Sequence, residues 1–434
     1  MRLSTCRPAR SALLAAGFSV ALSMAVSAGS AGEPPEGPRP TSPATPDRKL
    51  QLTWDDIVRR AVGDPRRGVG LARASAAEAE VGVARAAPNP TLELGLGRGH
   101  ARVGDDARTE WGAAVEMPLS WIARRGPRID ATKHAVVAAK HEARTAWLEA
   151  LFELNDLFWR IAQDQKLILE MEALAAETSA IADAVGRRVE KGEARPIERL
   201  KIDVEREAIN GETMAARLAL ESESQQLATW LGLESARVAV TAELDSVPSV
   251  PELAAIRARV LANHPAIKAA EARVRAATAE LDAEGRNRIP EVSIRGFTQS
   301  ELDRRAYGAS VSLGLPLWNW NSTGVARARA QVALARQESA LVVRVLDARL
   351  AQKQGQCAAA VSLAKVHRER LLPAAEQSAA VAATSYRLGE IGLLEVIDSR
   401  RVLIDARKTT LTALGRAHAE CQQLAILAGT EMSP

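Results

Sequence analysis

The sequence is poor in aromatic residues and in cysteine. Phe, Tyr and Trp make up 3% of its 434 residues, although hydrophobic residues make up 47%. Large globular cores depend on aromatic side chains for much of their buried area, so this composition argues against such a core. Ala, Leu and Val with charges interspersed among them are instead typical of long helices that pack through narrow seams.

Motifs that carry catalysis are also missing. The chain has no phosphate-binding loop, no Cys-x-x-Cys pair, no nucleophile elbow and no His-Glu-x-x-His motif. His134 and His141 would share one helix face, but they would lie about 10 Å apart, too far to ligate one ion together. We therefore predict that the protein is not an enzyme and has no resident metal and no cofactor.

The N-terminus predicts a signal peptide over residues 1–31. An apolar stretch over residues 13–26 is too short to cross a bilayer, and small residues before Ala28 and before Ala31 offer two cleavage sites. Cys6 precedes the apolar stretch, so a lipid-anchored cysteine at the cleavage site is not expected. The alternative is an uncleaved membrane anchor. The basic residues of the signal are Arg2, Arg7 and Arg10.

Much of the net positive charge belongs to this signal. Its removal takes away three arginines and no acid, so the net charge falls from +4 to about +1. No basic patch with interleaved aromatic residues remains, and we predict no nucleic-acid partner. Residues 32–49 contain six prolines and predict an extended leader.

After residue 50 the chain repeats one pattern of helix, β-hairpin and helical hairpin. Asp64-Pro65 and His264-Pro265 each precede a helical pattern, which Pro90 and Pro290 end at the same spacing. Alternating apolar and small or polar residues then predict two strands of about ten residues in each half. The predicted segments are a first repeat over 50–233, a linker over 234–250 and a second repeat over 251–430.

The strands suit a membrane. Their length matches tilted strands that cross a bilayer. Trp121, Trp318 and Trp320 follow the second strand of each half and predict an aromatic belt at one membrane interface. The alternative is a soluble hairpin with one buried face. Four strands cannot close a barrel, and lipid tolerates no open strand edge, so several chains would have to share one barrel.

Long stretches without proline predict the helical hairpins. Residues 129–188 would form about 90 Å of helix. Gly192 in the first half, and Gly389 and Gly392 in the second, predict the turns at the hairpin tips. Apolar residues recur every seven positions along the first long helix at Leu154, Ile161, Ile168, Ala175, Ala182 and Val189. The apolar residues of the return helix are Ile197, Leu200, Val204, Met214 and Leu218.

Several segments carry a resemblance to the TolC-type outer-membrane factor family. The resemblance covers about residues 50–430, and the first half is similar to the cobalt–zinc–cadmium heavy-metal efflux branch. In the first half the segments are Ala87-Pro-Asn-Pro-Thr-Leu-Glu93, Glu110-Trp-Gly112, Met117-Pro-Leu119 and Arg188-Val-Glu-Lys-Gly-Glu-Ala-Arg-Pro-Ile-Glu198. In the second half they are Leu313-Gly-Leu-Pro-Leu-Trp318 and Tyr386-Arg-Leu-Gly-Glu-Ile-Gly-Leu-Leu-Glu-Val-Ile-Asp398.

The resemblance implies a mostly α-helical homotrimer in the outer membrane. Four strands per chain would contribute to a twelve-stranded barrel in outer-membrane lipid, and the coiled-coil hairpins would form an α-barrel in the periplasm. A periplasmic adaptor protein and an inner-membrane pump would dock below it. The implied function is the exit duct of a tripartite RND-type system that exports divalent heavy-metal cations. Drug efflux, type I protein secretion and a periplasmic coiled-coil scaffold are the alternatives.

By the same resemblance, Glu395 and Asp398 fall where the family carries an acidic ring at the periplasmic entrance. Glu198 and Lys201 fall at the matching positions of the first hairpin. The chain departs from the family at Lys201, and Glu395 replaces the commoner Asp. The alternative is that all four residues are solvated charges of a coiled coil.

Cys357 and Cys421 lie at equal distances from one hairpin tip. Each is 32 residues from Gly389, on opposite arms of the second hairpin. Antiparallel arms would bring them to similar heights, and the periplasm permits disulfides. Two interpretations remain open, a disulfide between them and two buried free thiols.

Overall fold

The computed structural model describes residues 50–100, 107–233, 237–301 and 304–429. The predicted signal peptide and the proline-rich leader lie outside this part of the chain. The elements in chain order are β1 (Leu50–Leu52), α1 (Trp54–Arg60), α2 (Pro65–Arg85), β2 (Thr91–His100), β3 (Ala107–Pro118), α3 (Trp121–Glu190), α4 (Pro196–Trp230), β4 (Val238–Val240), α5 (Leu253–Asn263), α6 (Pro265–Arg286), β5 (Glu291–Glu301), β6 (Arg304–Gly314), α7 (Ser322–Val366), α8 (Leu372–Leu388) and α9 (Leu393–Ala428).

The longest helix, α3, has 70 residues, about 105 Å at 1.5 Å per residue. The absence of proline over residues 129–188 predicts a start near Ile129, but the helix begins at Trp121 and contains Pro127. A proline inside a helix frees the carbonyl four residues before it. The guanidinium of Arg286 donates a hydrogen bond to that carbonyl, of Ala123, at 2.9 Å. The helix continues through Pro127 because α6 supplies the missing donor.

Helices α7 and α8 form one continuous arm through a π-helical turn. The turn covers His367–Leu371 and ends just before Pro373. A π-turn changes the hydrogen-bond spacing locally and accommodates a proline without ending the helix. In the described ranges, none of the helices combines the length and the apolar character needed to cross a membrane.

Four strands form one antiparallel sheet in the order β2-β3-β5-β6. The two hairpins join through β3 and β5, where Ala114 pairs with Phe297. Strands β1 and β4 form a separate parallel pair, with Leu50 opposite Val238. The segment predicted as a linker over 234–250 therefore contains a short strand, whose partner precedes α1.

The main core lies where the β1–β4 pair meets α1, the middle of α3, α5, α7 and the end of α9. Leu154 and Ile161 of α3 are 0% exposed there. Ile168 and Ala182 are buried further along the same helix, so the predicted heptad seam is confirmed at these four positions. Smaller apolar clusters continue toward the hairpin tips.

The face through which the return helix α4 packs is not the face formed by the apolar residues named for it from the sequence. Ile202 and Ile209 are buried against α3 and α9. The apolar residues named from the sequence instead point outward and are 49–66% exposed: Ile197, Leu200, Val204, Met214 and Leu218. An amphipathic pattern identifies an apolar face, but tertiary packing decides which apolar face this chain itself covers.

The structure joins Cys357 and Cys421 by a disulfide. Their Cα atoms lie 4.8 Å apart, within the range that a disulfide bridges. Both side chains are buried in the main core. The bond ties α7 to α9, the two arms of the second hairpin, and closes a loop of 64 residues.

Asp64 and His264 begin helices α2 and α6 at corresponding points of the two halves. The Asp64 carboxylate accepts a hydrogen bond from the backbone N–H of Arg66 at 2.8 Å. The Nδ1 atom of His264 accepts one from the N–H of Ala266 at 3.2 Å. Burial of His264, which is 8% exposed, lowers its pKa, and the positive charge of Arg349 lowers it further.

The cap at His264 predicts a dependence of stability on pH. Protonation would place a hydrogen on Nδ1 and remove the acceptor that caps α6. Because the folded pKa lies below the unfolded value of about 6.5, this stabilisation is complete above that value and is lost as the pH falls toward the folded pKa. We expect the free energy of unfolding to fall between pH 7 and pH 5.

The variant His264→Asn keeps an acceptor at the cap but does not titrate. Between pH 7 and pH 5, the free energy of unfolding of this variant should fall less than that of the parent, by about 1 kcal/mol, the usual contribution of one cap. Urea denaturation in detergent at the two pH values measures the difference. Equal losses in the two proteins would contradict the role of His264.

Candidate functional site

Both helical hairpins turn on a glycine in the left-handed region. Gly192 lies in the first tip (residues 191–195) and Gly389 in the second tip (residues 389–392), each with φ of +77°. In both turns this glycine and the residue after it donate hydrogen bonds back to the end of the preceding helix. A side chain at such a position is strained, so the turns require glycine. Gly392 has φ of −81° and is the N-cap of α9.

The two tips lie side by side in the structure. Val185 and Ile202 of the first hairpin pack against Leu393 and Ile397 of the second in one apolar cluster. Tyr386, just before the second tip, borders the same cluster. Its hydroxyl accepts a hydrogen bond from Arg188 at 3.1 Å, and the guanidinium also lies over its ring.

Glu395 and Asp398 lie exposed on the first two turns of α9. Within the described ranges, neither carboxylate makes a hydrogen bond or an ion pair. Glu395 is in the first turn of the helix, where the partial positive charge of the backbone N–H groups favours an acid. Asp398 acts at longer range, because its charge contributes to the raised pKa of Arg401 after the larger effect of Glu205.

The matching residues of the first hairpin have another arrangement. The Glu198 carboxylate pairs with Arg195 at 3.0 Å, and its side chain is 19% exposed. Lys201 is exposed one turn further along α4. At these matching positions, the helix after the first tip therefore carries an acid paired with Arg195 and an exposed lysine, whereas the helix after the second tip carries two exposed acids.

Arg401 connects the second hairpin to the first. Its guanidinium lies 2.6 Å from the carboxylate of Glu205 on α4, whose side chain is 5% exposed. The hydrogen bond that Arg401 donates to the Glu205 carboxylate raises the pKa of Arg401. Arg400 makes a second connection, donating to Glu177 at 2.9 Å and to the Thr178 hydroxyl at 3.2 Å on α3.

This connection repeats one heptad further along the same helices. Lys408 of α9 lies 3.4 Å from Glu212 of α4, and both side chains are about half exposed. The Arg401–Glu205 pair was not predicted from the sequence, because its members are 196 residues apart. No local pattern indicates that α9 lies beside α4, so only the heptad spacing shared by the two pairs offered a signal.

The tryptophans predicted as a belt lie at the end of the sheet that joins the helices. Trp318 and Trp320 follow β6 and are 92% and 58% exposed. Trp121 begins α3 directly after β3 and is half-buried, with the guanidinium of Arg125 over its ring.

The two faces of the four-stranded sheet differ in polarity. One face, which we call the apolar face, is exposed over most of its length. The other carries Phe297 and otherwise mainly small and polar residues, with an ion pair between Glu93 and Arg295 at 2.6 Å and hydrogen bonds among Ser293, Glu116 and Ser312. The exposed side chains of the apolar face include Leu92, Leu94, Leu96, Trp111, Val115, Ile294, Tyr307, Val311 and Leu313.

The chain matches the family described as outer membrane efflux protein over residues 69–233 and 256–430. The chain belongs to this family. It is therefore a protein of the outer membrane, and its membership assigns it to efflux as a channel component. In the part of the chain that the structure describes, no group of three or more His, Cys, Asp or Glu side chains has the geometry of a metal site.

Individual proteins are similar to the chain in sequence or in fold. The cobalt-zinc-cadmium resistance protein CzcC of Cupriavidus metallidurans is 26% identical over 317 residues, which cover 70% of this chain and 74% of CzcC. The structure of CusC is similar with a TM-score of 0.74 at 15% identity, covering 89% of this chain and 97% of that one. The open state of the MtrE outer membrane channel of Neisseria gonorrhoeae has a TM-score of 0.70 at 15% identity, covering 86% and 88%.

The Arg401–Glu205 pair predicts a stability effect that depends on burial. The variant Arg401→Ala leaves the Glu205 carboxylate buried without its partner and should lower the free energy of unfolding by roughly 1–3 kcal/mol, since Arg401 itself is partly exposed. The second change Glu205→Gln should recover most of that loss, because it removes the buried charge.

The matched control is Lys408→Ala, which breaks the equivalent exposed pair one heptad away and should cost less than about 0.5 kcal/mol. Denaturant unfolding of the three variants in detergent measures these differences. Equal losses for Arg401→Ala and Lys408→Ala would show that burial of Glu205 does not matter.

Proposed function

We propose that this protein is the exit duct of a tripartite efflux system that exports divalent heavy-metal cations. In this proposal three copies of the chain share a twelve-stranded barrel in the outer membrane and an α-helical tunnel in the periplasm. A periplasmic adaptor protein and an inner-membrane pump deliver the cargo to the tunnel. The observation that carries the proposal is the pair of exposed carboxylates of Glu395 and Asp398 just after the second tip, for which the described residues provide no partner.

The sheet supports assembly from several chains. Strands β2 and β6 are its edges, so each leaves a row of backbone groups unpaired within this chain. Lipid offers no hydrogen bonds to such groups, and the apolar face is suited to lipid. Pairing of β2 in one copy with β6 in the next satisfies both edges, and three copies give the twelve strands that the family resemblance implies. Trp121, Trp318 and Trp320 then form the belt at the periplasmic interface.

The helices support the same assembly. The outward-facing residues of α4, such as Leu200 and Val204, are more than 60% exposed in the single chain. A row of large apolar side chains exposed along a helix marks an interaction surface. A neighbouring copy would cover this row and close the helices into a tunnel.

The acidic second tip supports a cation as cargo. Arg400 and Arg401, the nearest cations on α9, are held by Glu177 and Glu205, so they do not neutralise Glu395 and Asp398 by direct contact. Threefold symmetry would place six carboxylates around one opening, and a narrow opening focuses their potential. The name of the relative CzcC favours heavy-metal cations over organic compounds.

The proposed entrance is tested by electrical recording. Replacing both Glu395 and Asp398 with Ala removes negative potential from the opening, so multivalent cations added on the periplasmic side should block the single-channel current less strongly. We expect the half-blocking concentration to rise by roughly tenfold. The matched control is Asp405→Ala, an exposed acid one heptad from Asp398 on the same helix, which should leave the block unchanged. An unchanged block in the double variant would show that these carboxylates do not line the entrance.

The cargo is tested by deletion of the gene in its host. We expect the deletion strain to become more sensitive to zinc, cobalt and cadmium, and the wild-type gene to restore growth. Sensitivity to organic drugs with unchanged metal tolerance would favour drug efflux, and loss of a secreted protein would favour type I secretion. Recovery of the protein from the soluble periplasmic fraction would favour a scaffold.

A further inference from the structure

The apolar face of the sheet ends in arginine at the hairpin end of both edge strands. Along β2, Leu92, Leu94 and Leu96 share this face, and Arg98 follows them in the same alternation. Along β6, Arg305 stands two residues before Tyr307, and its partner in the register is Ser300, which pairs with Trp111. Because side chains alternate between the faces of a strand, Arg98 and Arg305 belong to the apolar face.

These two arginines differ from those on the polar face. Arg295 pairs with Glu93 at 2.6 Å, and Arg304 pairs with Glu301 at 3.2 Å. Arg98 and Arg305 are both exposed, and the described residues provide neither of them with an ion pair or a hydrogen bond. The sheet thus balances the charge of these two polar-face arginines internally, but among the described residues the two arginines at the edge of the apolar face have no counterion.

We propose that Arg98 and Arg305 bind the phosphate groups of phosphorylated glycolipids at the outer surface of the membrane, while the acyl chains of the lipid lie against the apolar face. This inference rests on the proposed function, because it places the sheet in the membrane. The helices join the opposite end of the sheet and are periplasmic in that arrangement. The ends of the strands that carry the two arginines then face outward.

The chemistry of the site fits a phosphate in particular. Arginine presents a planar fork of N–H donors that matches two oxygens of a phosphate, and such charge-assisted pairs are strong. A long basic side chain at the edge of an apolar surface extends its charge to the headgroup region. Tyr307 is 89% exposed beside Arg305, and an amphipathic aromatic ring favours this depth of a membrane. Along the strands, basic residues would therefore lie at the depth of the lipid headgroups, the aromatic ring at the interface and the apolar residues beside the acyl chains.

Closure of the barrel would bring Arg98 of one chain close to Arg305 of the next, at the seam where β2 and β6 of neighbouring chains pair. Arg98 lies on β2 and Arg305 on β6, the two edge strands that would pair between copies. Each of the three seams would carry one arginine from either side. A glycolipid with two phosphates at a seam would then contact both chains.

The experiment compares two variants of the purified full-length protein in detergent. The double variant Arg98→Gln and Arg305→Gln removes the charge of both arginines that are proposed to bind phosphate. The matched control is Arg304→Gln, a change at the neighbouring residue whose side chain lies on the opposite face. The probes are a diphosphorylated, acylated diglucosamine lipid and the same lipid without phosphate, and native mass spectrometry measures their binding.

We expect the double variant to bind the phosphorylated lipid at least about tenfold more weakly than the parent. Binding of the lipid without phosphate should be unchanged, and Arg304→Gln should resemble the parent. Equal affinity of the parent and the double variant for the phosphorylated lipid would overturn the inference. The inference would also be overturned if the control lost as much affinity for the phosphorylated lipid as the double variant. The same holds if the double variant lost equal affinity for the two lipids.

A second measurement separates this inference from the proposed function. Outer-membrane fractionation and single-channel conductance are recorded for the same preparations. A parent protein that neither enters the membrane nor conducts would overturn the proposed function together with the lipid site. A membrane-inserted, conducting parent without preference for phosphate would overturn the lipid site alone.

Discussion

Packing along α3 holds the rest of the structure in place. This helix starts at the sheet, crosses the main core and ends at the first tip. Its buried positions recur every seven residues, so α4 and α9 lie against it over long distances. The small side chain of Ala182, completely buried near the tip, allows a close approach of the neighbouring helices. One helix thereby sets the position of the tips relative to the sheet.

Charge is distributed unevenly along this framework. Near the tips, Arg400 and Arg401 hold the second hairpin to the first through Glu177 and Glu205. Because these arginines are held by acids of the first hairpin, Glu395 and Asp398 keep their charge exposed. At the sheet, Arg295 pairs with Glu93 on the polar face, whereas the described residues provide no partner for Arg98 and Arg305 on the apolar face. In both places, internal pairing decides which charges remain available to other molecules.

Local features were predicted well because they depend on residues close in sequence. Gly192 and Gly389 adopt the left-handed conformation expected of a hairpin tip. Alternation likewise located the paired strands β2, β3, β5 and β6. Pro127 was misleading because the donor that compensates for it, Arg286, lies in another helix.

Hydrophobic periodicity and turn glycines by themselves determined the long helices, the four strands of the sheet and the two hairpin tips, and the sequence alone places Cys357 and Cys421 at equal distances from the second tip. Only the tertiary structure decided that these cysteines bond, that Arg401 meets Glu205, and that Leu200 of α4 faces outward. The physical reason is that periodicity defines a face of a helix without naming its neighbour. Which face is covered depends on how helices from distant parts of the chain pack together.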